Sequence, residues 1–156
     1  MDVRRLGIIP CTKEKIWDLQ PDAGPVEAHR AYRGFLFHLT RSYSESFLDD
    51  WVVFSALHGF LKPNETIPEA YDITFNRPED PVILVPELRA QVQAKGLDTY
   101  DTAVILCPEA YASRVESAYE GSTTELHTPF RGRGGIVGVR SWLKDCIQNG
   151  RSDLQP

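Results

Sequence analysis

The chain has few cysteines, no long apolar run and no excess of positive charge. Its 156 residues include three cysteines, Cys11, Cys107 and Cys146, without Cys-x-x-Cys spacing. This pattern predicts neither a disulfide framework nor a zinc ribbon. No apolar run approaches the roughly 18 residues of a membrane span, so no membrane association is predicted. The formal net charge of -5 argues against general binding of duplex nucleic acid, which depends on Lys and Arg at phosphates.

The beginning of the chain lacks the features of a secretion signal. Residues 1–5 lead directly into the short apolar segment Leu6 to Ile9, with no longer apolar segment or small-residue cleavage site, and this predicts a cytoplasmic protein. A hydrophobic content of 42% over this length fits one globular domain. The sequence therefore predicts a single domain over residues 1–149 and a frayed C-terminal tail over residues 150–156.

Apolar segments typical of buried strands alternate with segments of helical spacing. The predicted strands are Leu6 to Ile9, Val52 to Ser55, Thr102 to Cys107 and Thr124 to His127. The predicted helices are Val26 to Phe47, Val85 to Lys95, a helix entered at Pro108, and Ile136 to Ile147. This alternation predicts an α/β fold, a single three-layer domain with a mostly parallel central sheet of about four strands and helices on both faces. Between the second predicted strand and the helix that begins at Val85, residues 62–81 contain four prolines. This predicts an ordered loop rather than a long helix or a central strand.

Polar residues follow the second predicted strand, at the edge where ligands bind in open α/β sheets. Ser55, His58, Gly59, Tyr71 and Asp72 are the candidates in this stretch. His58 is either a neutral histidine that caps the strand or a titrating group suited to proton transfer. Asp72 is either a catalytic carboxylate or part of an Asx turn. Ser55 is more typical of a turn hydroxyl than of a nucleophile, since no Gly-x-Ser-x-Gly elbow surrounds it.

The loop after the first predicted strand, Cys11 to Lys15, is a second candidate segment. Cys11 is either small apolar filling or a thiol whose pKa is lowered by Lys13 and Lys15. Thr12 lies between them as a further ligand-binding candidate. Cys107 and Cys146 occur within apolar patterns and are predicted to be core residues. No spacing among the histidines indicates a metal site, and no cofactor is predicted.

A glycine-rich segment with two arginines precedes the last predicted helix. In residues 129–135, glycines allow backbone N–H groups to approach an anion, and the helix N-terminus adds partial positive charge. Arg131 and Arg133, on either side of Gly132, can make bidentate contacts with phosphate. The alternative is a plain tight turn, because the segment matches no formal phosphate-binding pattern.

Several of these segments resemble a known family. Residues 55–63, followed by Ile67 and Tyr71, are similar to the Ser-Gly/Ala-x-Tyr/His-Gly-x-Leu-Arg/Lys-Pro signature of the YaaA peroxide-stress family. From about residue 6 to residue 145, the chain looks closer still to small single-domain proteins related to that family. The segments that carry this resemblance are Cys11 to Lys15, Ser55 to Gly59, Tyr71-Asp72, Tyr111 and Pro129 to Gly132.

The resemblance implies a ligand related to nucleobases or nucleic acid. YaaA proteins are associated with protection of DNA during peroxide stress. The similar Cys-Ser-x-x-Lys-Pro loop of the archaeosine-synthase group is associated with modified bases in tRNA. The chain is shorter than YaaA proteins, has His58 where tyrosine is usual there, and lacks a helix-hairpin-helix insertion, which argues against binding of duplex DNA.

Together, the residues and the resemblance predict a nucleotide or nucleobase-containing ligand, with nucleic acid as a further candidate partner. The first hypothesis is an N-glycosidase or base-exchange enzyme, in which Asp72 stabilises a sugar cation or activates water and His58 protonates the departing base. The alternatives are a non-catalytic, YaaA-like stress or nucleic-acid-associated binding protein, and a redox sensor at Cys11. Neither the substrate nor the oligomeric state follows from the sequence. The predicted catalytic residues are His58, Asp72, Ser55 and Cys11, and the predicted ligand-binding residues are Thr12, Lys13, Lys15, Gly59, Tyr71, Tyr111, Arg131, Gly132 and Arg133.

Overall fold

A five-stranded sheet organises the chain in the computed structural model, which describes residues 3–154. The strands are β1 (Arg5–Pro10), β2 (Val26–Glu27), β3 (Asp50–Ser55), β4 (Gly59–Leu61), β5 (Thr66–Ile67), β6 (Thr102–Ile105) and β7 (Glu125–His127). The large sheet has the order β4-β3-β1-β6-β7. Its strands β3, β1, β6 and β7 are parallel, and β4 is antiparallel to β3. The predicted mostly parallel α/β sheet is confirmed, with five strands rather than about four.

Six α-helices and one 3-10 helix connect the strands within the described residues. They are α1 (Ile16–Leu19), α2 (Ala28–Ala31), α3 (Phe35–Phe47), α4 (Val85–Ala94), the 3-10 helix Leu97–Thr99, α5 (Glu109–Ala118) and α6 (Gly135–Asn149). None of these helices combines the length and the apolar character needed to cross a bilayer.

The predicted continuous helix over Val26 to Phe47 is wrong. Residues 26–27 form β2, which pairs with β5 in a separate antiparallel sheet, and α3 begins only after Gly34. The break at Gly34 has a tertiary cause, because its N–H donates to Thr12 Oγ1 at 3.0 Å. A Cβ at position 34 would lie 2.5 Å from Thr12 Cβ, so the close approach of this loop requires glycine.

The proline-rich segment 62–81 is a loop for most of its length, but it contains the unpredicted strand β5. Ile67 of β5 is fully buried and pairs with Val26. A strand of two residues has no recognisable periodicity, and its hydrogen-bonding partner lies about forty positions earlier in the chain. Only the tertiary fold reveals this pairing.

Alternate residues of the parallel strands enter two separate apolar clusters, as the period of two requires. Ile8, Val52 and Ile105 are in register and pack in one cluster with apolar residues of α4 and α5. Ile9 and Val53 pack in the other cluster with residues of α3 and α6. This division is the one expected for a sheet with helices on both faces. The three-layer arrangement itself stays a prediction that the two clusters favour.

The described part of the C-terminal tail, residues 150–154, is packed rather than frayed. Tyr43 donates its hydroxyl to the Ser152 carbonyl at 2.5 Å, and Trp142 Nε1 donates to Asp153 Oδ2 at 3.1 Å. Leu154 packs against the cluster that contains α3 and α6. Residues 155 and 156 of the predicted tail lie outside the described residues.

Candidate functional site

Six of the predicted site residues line one concavity at the carboxyl ends of β1 and β6. The backbone N–H of Cys11 donates to the Phe54 carbonyl at 3.3 Å, so the loop after β1 begins beside the end of β3. A concavity of about 320 Å³ opens beside this loop. Its lining includes Cys11, Thr12, Lys13, Lys15, Asp72 and Tyr111.

The loop that carries Lys15 is fixed at several points. Thr12 accepts the Gly34 N–H and donates its hydroxyl to the Glu14 carbonyl at 3.2 Å. At Lys15, the backbone N–H donates to Asp18 Oδ2 at 2.8 Å, and the residue forms an antiparallel bridge with Tyr32. The Lys15 side chain therefore extends from a backbone position that local and long-range hydrogen bonds hold in place.

Lys15 is a buried lysine whose amine has weak partners. The residue is 6% exposed, and its Nζ lies 3.3 Å from the Lys13 carbonyl and 4.7 Å from the centroid of the Tyr71 ring. Within residues 3–154, no carboxylate oxygen lies within 4 Å of this amine. Burial lowers the pKa of Lys15, and the charges of Cys11 and Asp72 only partly oppose this effect.

A chain of three hydroxyls lies beneath the Lys15 amine. The Tyr71 hydroxyl is hydrogen-bonded to Tyr32 and, at 2.8 Å, to Ser55 Oγ. Ser55 is fully buried, and its Oγ accepts the backbone N–H groups of Leu57 and His58 at 3.2 and 3.1 Å. Burial raises the pKa of both tyrosines, so both are neutral phenols at physiological pH. The hydroxyl of Ser55 closes the turn after β3, and within residues 3–154 it has no hydrogen bond to a basic side chain, so the geometry favours its structural role over a nucleophilic one.

His58 is separated from the concavity lining and faces the hydroxyl chain instead. Its ring packs edge-on against Tyr71, with centroids 5.0 Å apart. Its Nε2 is buried and has no hydrogen-bond partner within the described part of the chain. Burial lowers the pKa of His58, so the imidazole is neutral at pH 7. The structure therefore does not bring His58 to the position of a proton donor in the concavity.

Gly59 also faces away from the concavity. Its φ of +76° is in the left-handed region, and a Cβ there would lie 2.2 Å from Gln91 Oε1. The Gln91 amide accepts the Phe60 N–H at 2.8 Å and donates to the His58 carbonyl at 3.0 Å. Glycine at this position permits the turn into β4, and the geometry gives it no ligand contact.

Asp72 lies at the rim of the concavity and forms an ion pair with Arg77. The sequence does not predict Arg77 as a site residue. Arg77 Nη2 contacts Asp72 Oδ1 at 3.1 Å, and Arg77 Nε contacts Asp80 Oδ2 at 2.9 Å. The Asp72 side chain is 64% exposed, so one ion pair orients it without removing it from solvent. The Asp80 carboxylate also accepts the Thr74 N–H at 2.9 Å. The rim is therefore an ordered segment, as the proline-rich sequence predicts.

Cys11 and Tyr111 occupy the inner wall of the concavity. Burial raises the pKa of the Cys11 thiol, although the Ala56 N–H, Lys15 and Tyr111 act in the opposite direction. Of the two interpretations of Cys11, this favours apolar filling over a thiol of lowered pKa, because desolvation outweighs the attraction of the neighbouring ammonium group. Burial raises the pKa of Tyr111 to about 12, and its hydroxyl lies 3.0 Å from Thr74 Oγ1. Cys107 and Cys146 are core residues, as predicted.

The segment Arg131 to Arg133 does not line this concavity. Arg131 lies between two carboxylates of α5, 2.8 Å from Glu109 and 2.6 Å from Glu116. Arg133 donates from Nε to the Pro129 carbonyl at 2.5 Å, and its guanidinium stacks over Trp142 at 4.0 Å. The carboxylates of α5 thus neutralise the cation that the sequence assigns to a phosphate. The predicted anion site stays a prediction, separate from the Lys15 concavity.

The sequence does not predict three residues of the site, namely Tyr32, Thr74 and Arg77. Tyr32 lies inside the segment predicted as a helix, and nothing local indicates that its hydroxyl meets Tyr71. The spacing of Asp72, Arg77 and Asp80 could have indicated an ion-paired loop. Within residues 3–154, no group of three or more His, Cys, Asp and Glu side chains is arranged to hold a metal ion.

Comparisons with known proteins place the whole concavity inside one family. Residues 7–145 match the family of unknown function DUF6884. The chain is also similar to the uncharacterized protein YfjM of Bacillus subtilis (strain 168), at 40% identity over 146 residues, which cover 94% of this chain and 97% of that protein. No solved structure shows significant similarity to the chain. The resemblance to YaaA proteins stays a prediction. Because the family match covers residues 7–145, which include each residue of the concavity named above, the chain belongs to the DUF6884 family.

Proposed function

We propose that the chain is an enzyme that acts on a nucleotide or nucleobase-containing ligand, by cleavage or exchange at the N-glycosidic bond. The observation that supports this most is that Asp72 and Lys15 share one concavity of about 320 Å³ at the carboxyl edge of the sheet. This volume is within the range of pockets for small ligands. It is sufficient for one nucleoside unit, with the rest of a larger ligand outside the rim.

Asp72 supplies the carboxylate that acts on the sugar at the bond to be cleaved. Cleavage of an N-glycosidic bond develops positive charge on the sugar, and a carboxylate at the rim can stabilise this charge or activate water. Arg77 orients the Asp72 carboxylate through an ion pair at 3.1 Å. The guanidinium has five donors, so it can also contact a phosphate of the ligand.

Tyr111 replaces His58 as the group that contacts the departing base. The Tyr111 phenol lines the concavity and is protonated at neutral pH, with a pKa raised by burial to about 12. It can donate a hydrogen bond to a ring nitrogen or exocyclic oxygen of the base. His58 supports the site indirectly through its packing on Tyr71.

The test is release of a base. Wild-type protein is incubated with nucleosides, nucleoside monophosphates and oligonucleotides that contain modified bases, and mass spectrometry detects free base while calorimetry measures binding. Asp72→Asn should lower the rate of release by about 10²- to 10⁴-fold, the range for loss of one acid-base group, with binding retained. Asp145→Asn is the matched control and should leave the rate unchanged. Asp145 lies on α6 and forms an exposed ion pair with Arg151.

Two outcomes would contradict the proposal. Binding that depends on Lys15 and Tyr111, without release of base from any ligand, would favour the non-catalytic binding protein instead. Release that is equally fast in wild type and Asp72→Asn would remove the assigned role of the carboxylate.

A further inference from the structure

We propose that Lys15 is an imine-forming amine, which captures the C1′ aldehyde of a ribose or deoxyribose 5-phosphate unit, either free or within an oligonucleotide. This inference deepens the proposed function and rests on it for the choice of a sugar, because cleavage at the N-glycosidic bond leaves a hemiacetal that opens to an aldehyde. It assigns a covalent step to a residue that sequence reasoning treats only as a ligand contact.

The first argument is the position of the amine. Lys15 lines the same concavity as Asp72 and Tyr111, yet the residue is 94% removed from solvent, with 6% of its surface exposed. Its backbone is held by Asp18 Oδ2 at 2.8 Å and by the bridge to Tyr32. Burial of the side chain on this fixed backbone limits the positions open to the amine, which lowers the entropic cost of attack on a bound carbonyl.

The second argument is that no carboxylate within residues 3–154 forms an ion pair with the amine. A buried lysine is ordinarily paired with a carboxylate, but the Asp18 carboxylate accepts the backbone N–H of Lys15 instead. The described contacts of Nζ are the Lys13 carbonyl at 3.3 Å and the faces of Tyr71 and Tyr32, whose ring centroids are 4.7 and 5.9 Å away. None of these neighbours is a carboxylate that would hold the amine in its charged form. This arrangement is unusual for a structural lysine and is suited to a nucleophile.

The third argument is the protonation state. Burial lowers the pKa of Lys15, opposed by the more distant charges of Cys11, Asp72, Asp18 and Glu14. A lowered pKa increases the fraction of neutral amine near pH 7, and only the neutral amine attacks a carbonyl. The phenol of Tyr71 beneath the amine stays neutral and adds no opposing anion.

The chemical step consumes the neutral amine, the aldehyde and one proton from solvent, and it gives a protonated imine and one water; the first proton that the oxygen gains replaces one that the attacking nitrogen loses. Neutral Nζ attacks C1′ of the open-chain sugar, a C–N bond forms, and the carbonyl oxygen takes a proton to give a carbinolamine. The C–O bond then breaks, the oxygen leaves as water with a second proton, and a protonated imine remains. Tyr111 and Asp72 are the adjacent groups on the concavity that can donate and accept these protons. Hydrolysis reverses every step and returns the free amine.

The experiment traps the imine by reduction. The full-length protein is incubated with 2-deoxyribose 5-phosphate or with an oligonucleotide that contains one abasic site, in the presence of cyanoborohydride. Mass spectrometry measures the adduct, and peptide mapping locates it among the five lysines of the chain and the N-terminal amine. The adduct should occur at Lys15, and its formation should remain efficient at a lower pH than that of any adduct at the exposed Lys144. A preference for one probe over the other distinguishes a free sugar phosphate from a nucleic-acid substrate.

Two variants complete the test. Lys15→Arg keeps the positive charge but cannot form an imine, so the adduct should decrease by about tenfold or more, whereas Lys144→Arg should leave it unchanged. Adducts distributed among the lysines according to exposure in wild type would overturn the inference, and this result does not depend on whether Lys15→Arg folds. Release of base without any Lys15 adduct would overturn the inference alone. A Lys15 adduct without release of base from any intact ligand would instead contradict the proposed function.

Discussion

Tyr71→Phe should destabilise the protein through the hydroxyl chain beneath Lys15. The substitution keeps the ring that contacts Lys15 and His58 and removes one oxygen. That oxygen is hydrogen-bonded to both Tyr32 and Ser55. The effect therefore measures the hydrogen bonds and not a change in packing.

The change in the free energy of unfolding depends on which groups lose a hydrogen-bond partner when the Tyr71 hydroxyl is removed. Two neutral hydrogen bonds are lost, each with a net contribution of about 0.5–1.5 kcal/mol, and a buried hydroxyl without its partner adds a penalty of about 1–3 kcal/mol. Tyr32 is 2% exposed, so water does not readily replace the lost partner. Ser55 Oγ retains the N–H groups of Leu57 and His58. Tyr71→Phe should therefore lower the free energy of unfolding by about 2–6 kcal/mol.

Tyr32→Phe should cost less, about 0.5–1.5 kcal/mol, because Tyr71 keeps its bond to Ser55. The double variant should cost about 1–3 kcal/mol, less than Tyr71→Phe alone, since the same two bonds are lost but no Tyr32 hydroxyl remains to be left unpaired. The interaction energy between the two sites should thus have a magnitude of at least about 1.5 kcal/mol.

Urea denaturation, followed by tryptophan fluorescence and circular dichroism, measures these differences at constant m-value. Tyr100→Phe is the matched control, because its hydroxyl bonds to Asp50 at an exposed position, and it should change stability by about 0.5 kcal/mol or less. A Tyr71→Phe variant as stable as wild type, or strictly additive effects of the two substitutions, would refute the coupled hydroxyl chain.

Two further predictions concern residues outside the concavity. Arg131→Ala should leave the affinity for a nucleoside monophosphate within about twofold of wild type, because Glu109 and Glu116 already occupy the guanidinium; a large loss measured by calorimetry would restore the predicted phosphate site. Since burial lowers the folded-state pKa of His58 below 6.5, the unfolded state binds its proton more readily, and stability should fall as the pH decreases below about 6.5. His58→Gln should reduce this slope by at most about 1.4 kcal/mol per pH unit, and denaturation curves of both proteins between pH 7 and pH 5 with equal slopes would contradict the assignment.

The sequence predicts the strand framework because the buried strands have local signatures. Val52 to Ser55 and Thr102 to Cys107 are apolar and β-branched, and in the structure both contribute parallel strands beside β1. Local patterns also indicate Cys11 to Lys15 as a loop at the carboxyl edge, and the concavity lies there. The period of side chains along a strand and the geometry of parallel connections are sufficient for these conclusions.

The protonation states and partners at the edge depend on the tertiary structure. The lysines after Cys11 suggest a lowered thiol pKa, but burial by distant elements raises it. The sequence predicts that Arg131 contacts a phosphate, but in the structure two carboxylates of α5 form ion pairs with its guanidinium. The sequence shows only that Lys15, Asp72 and Tyr111 are polar residues in segments that follow predicted strands. Only the packing of segments far apart in the chain decides which of them meet and how much water each retains, because desolvation and pairing depend on distances in space.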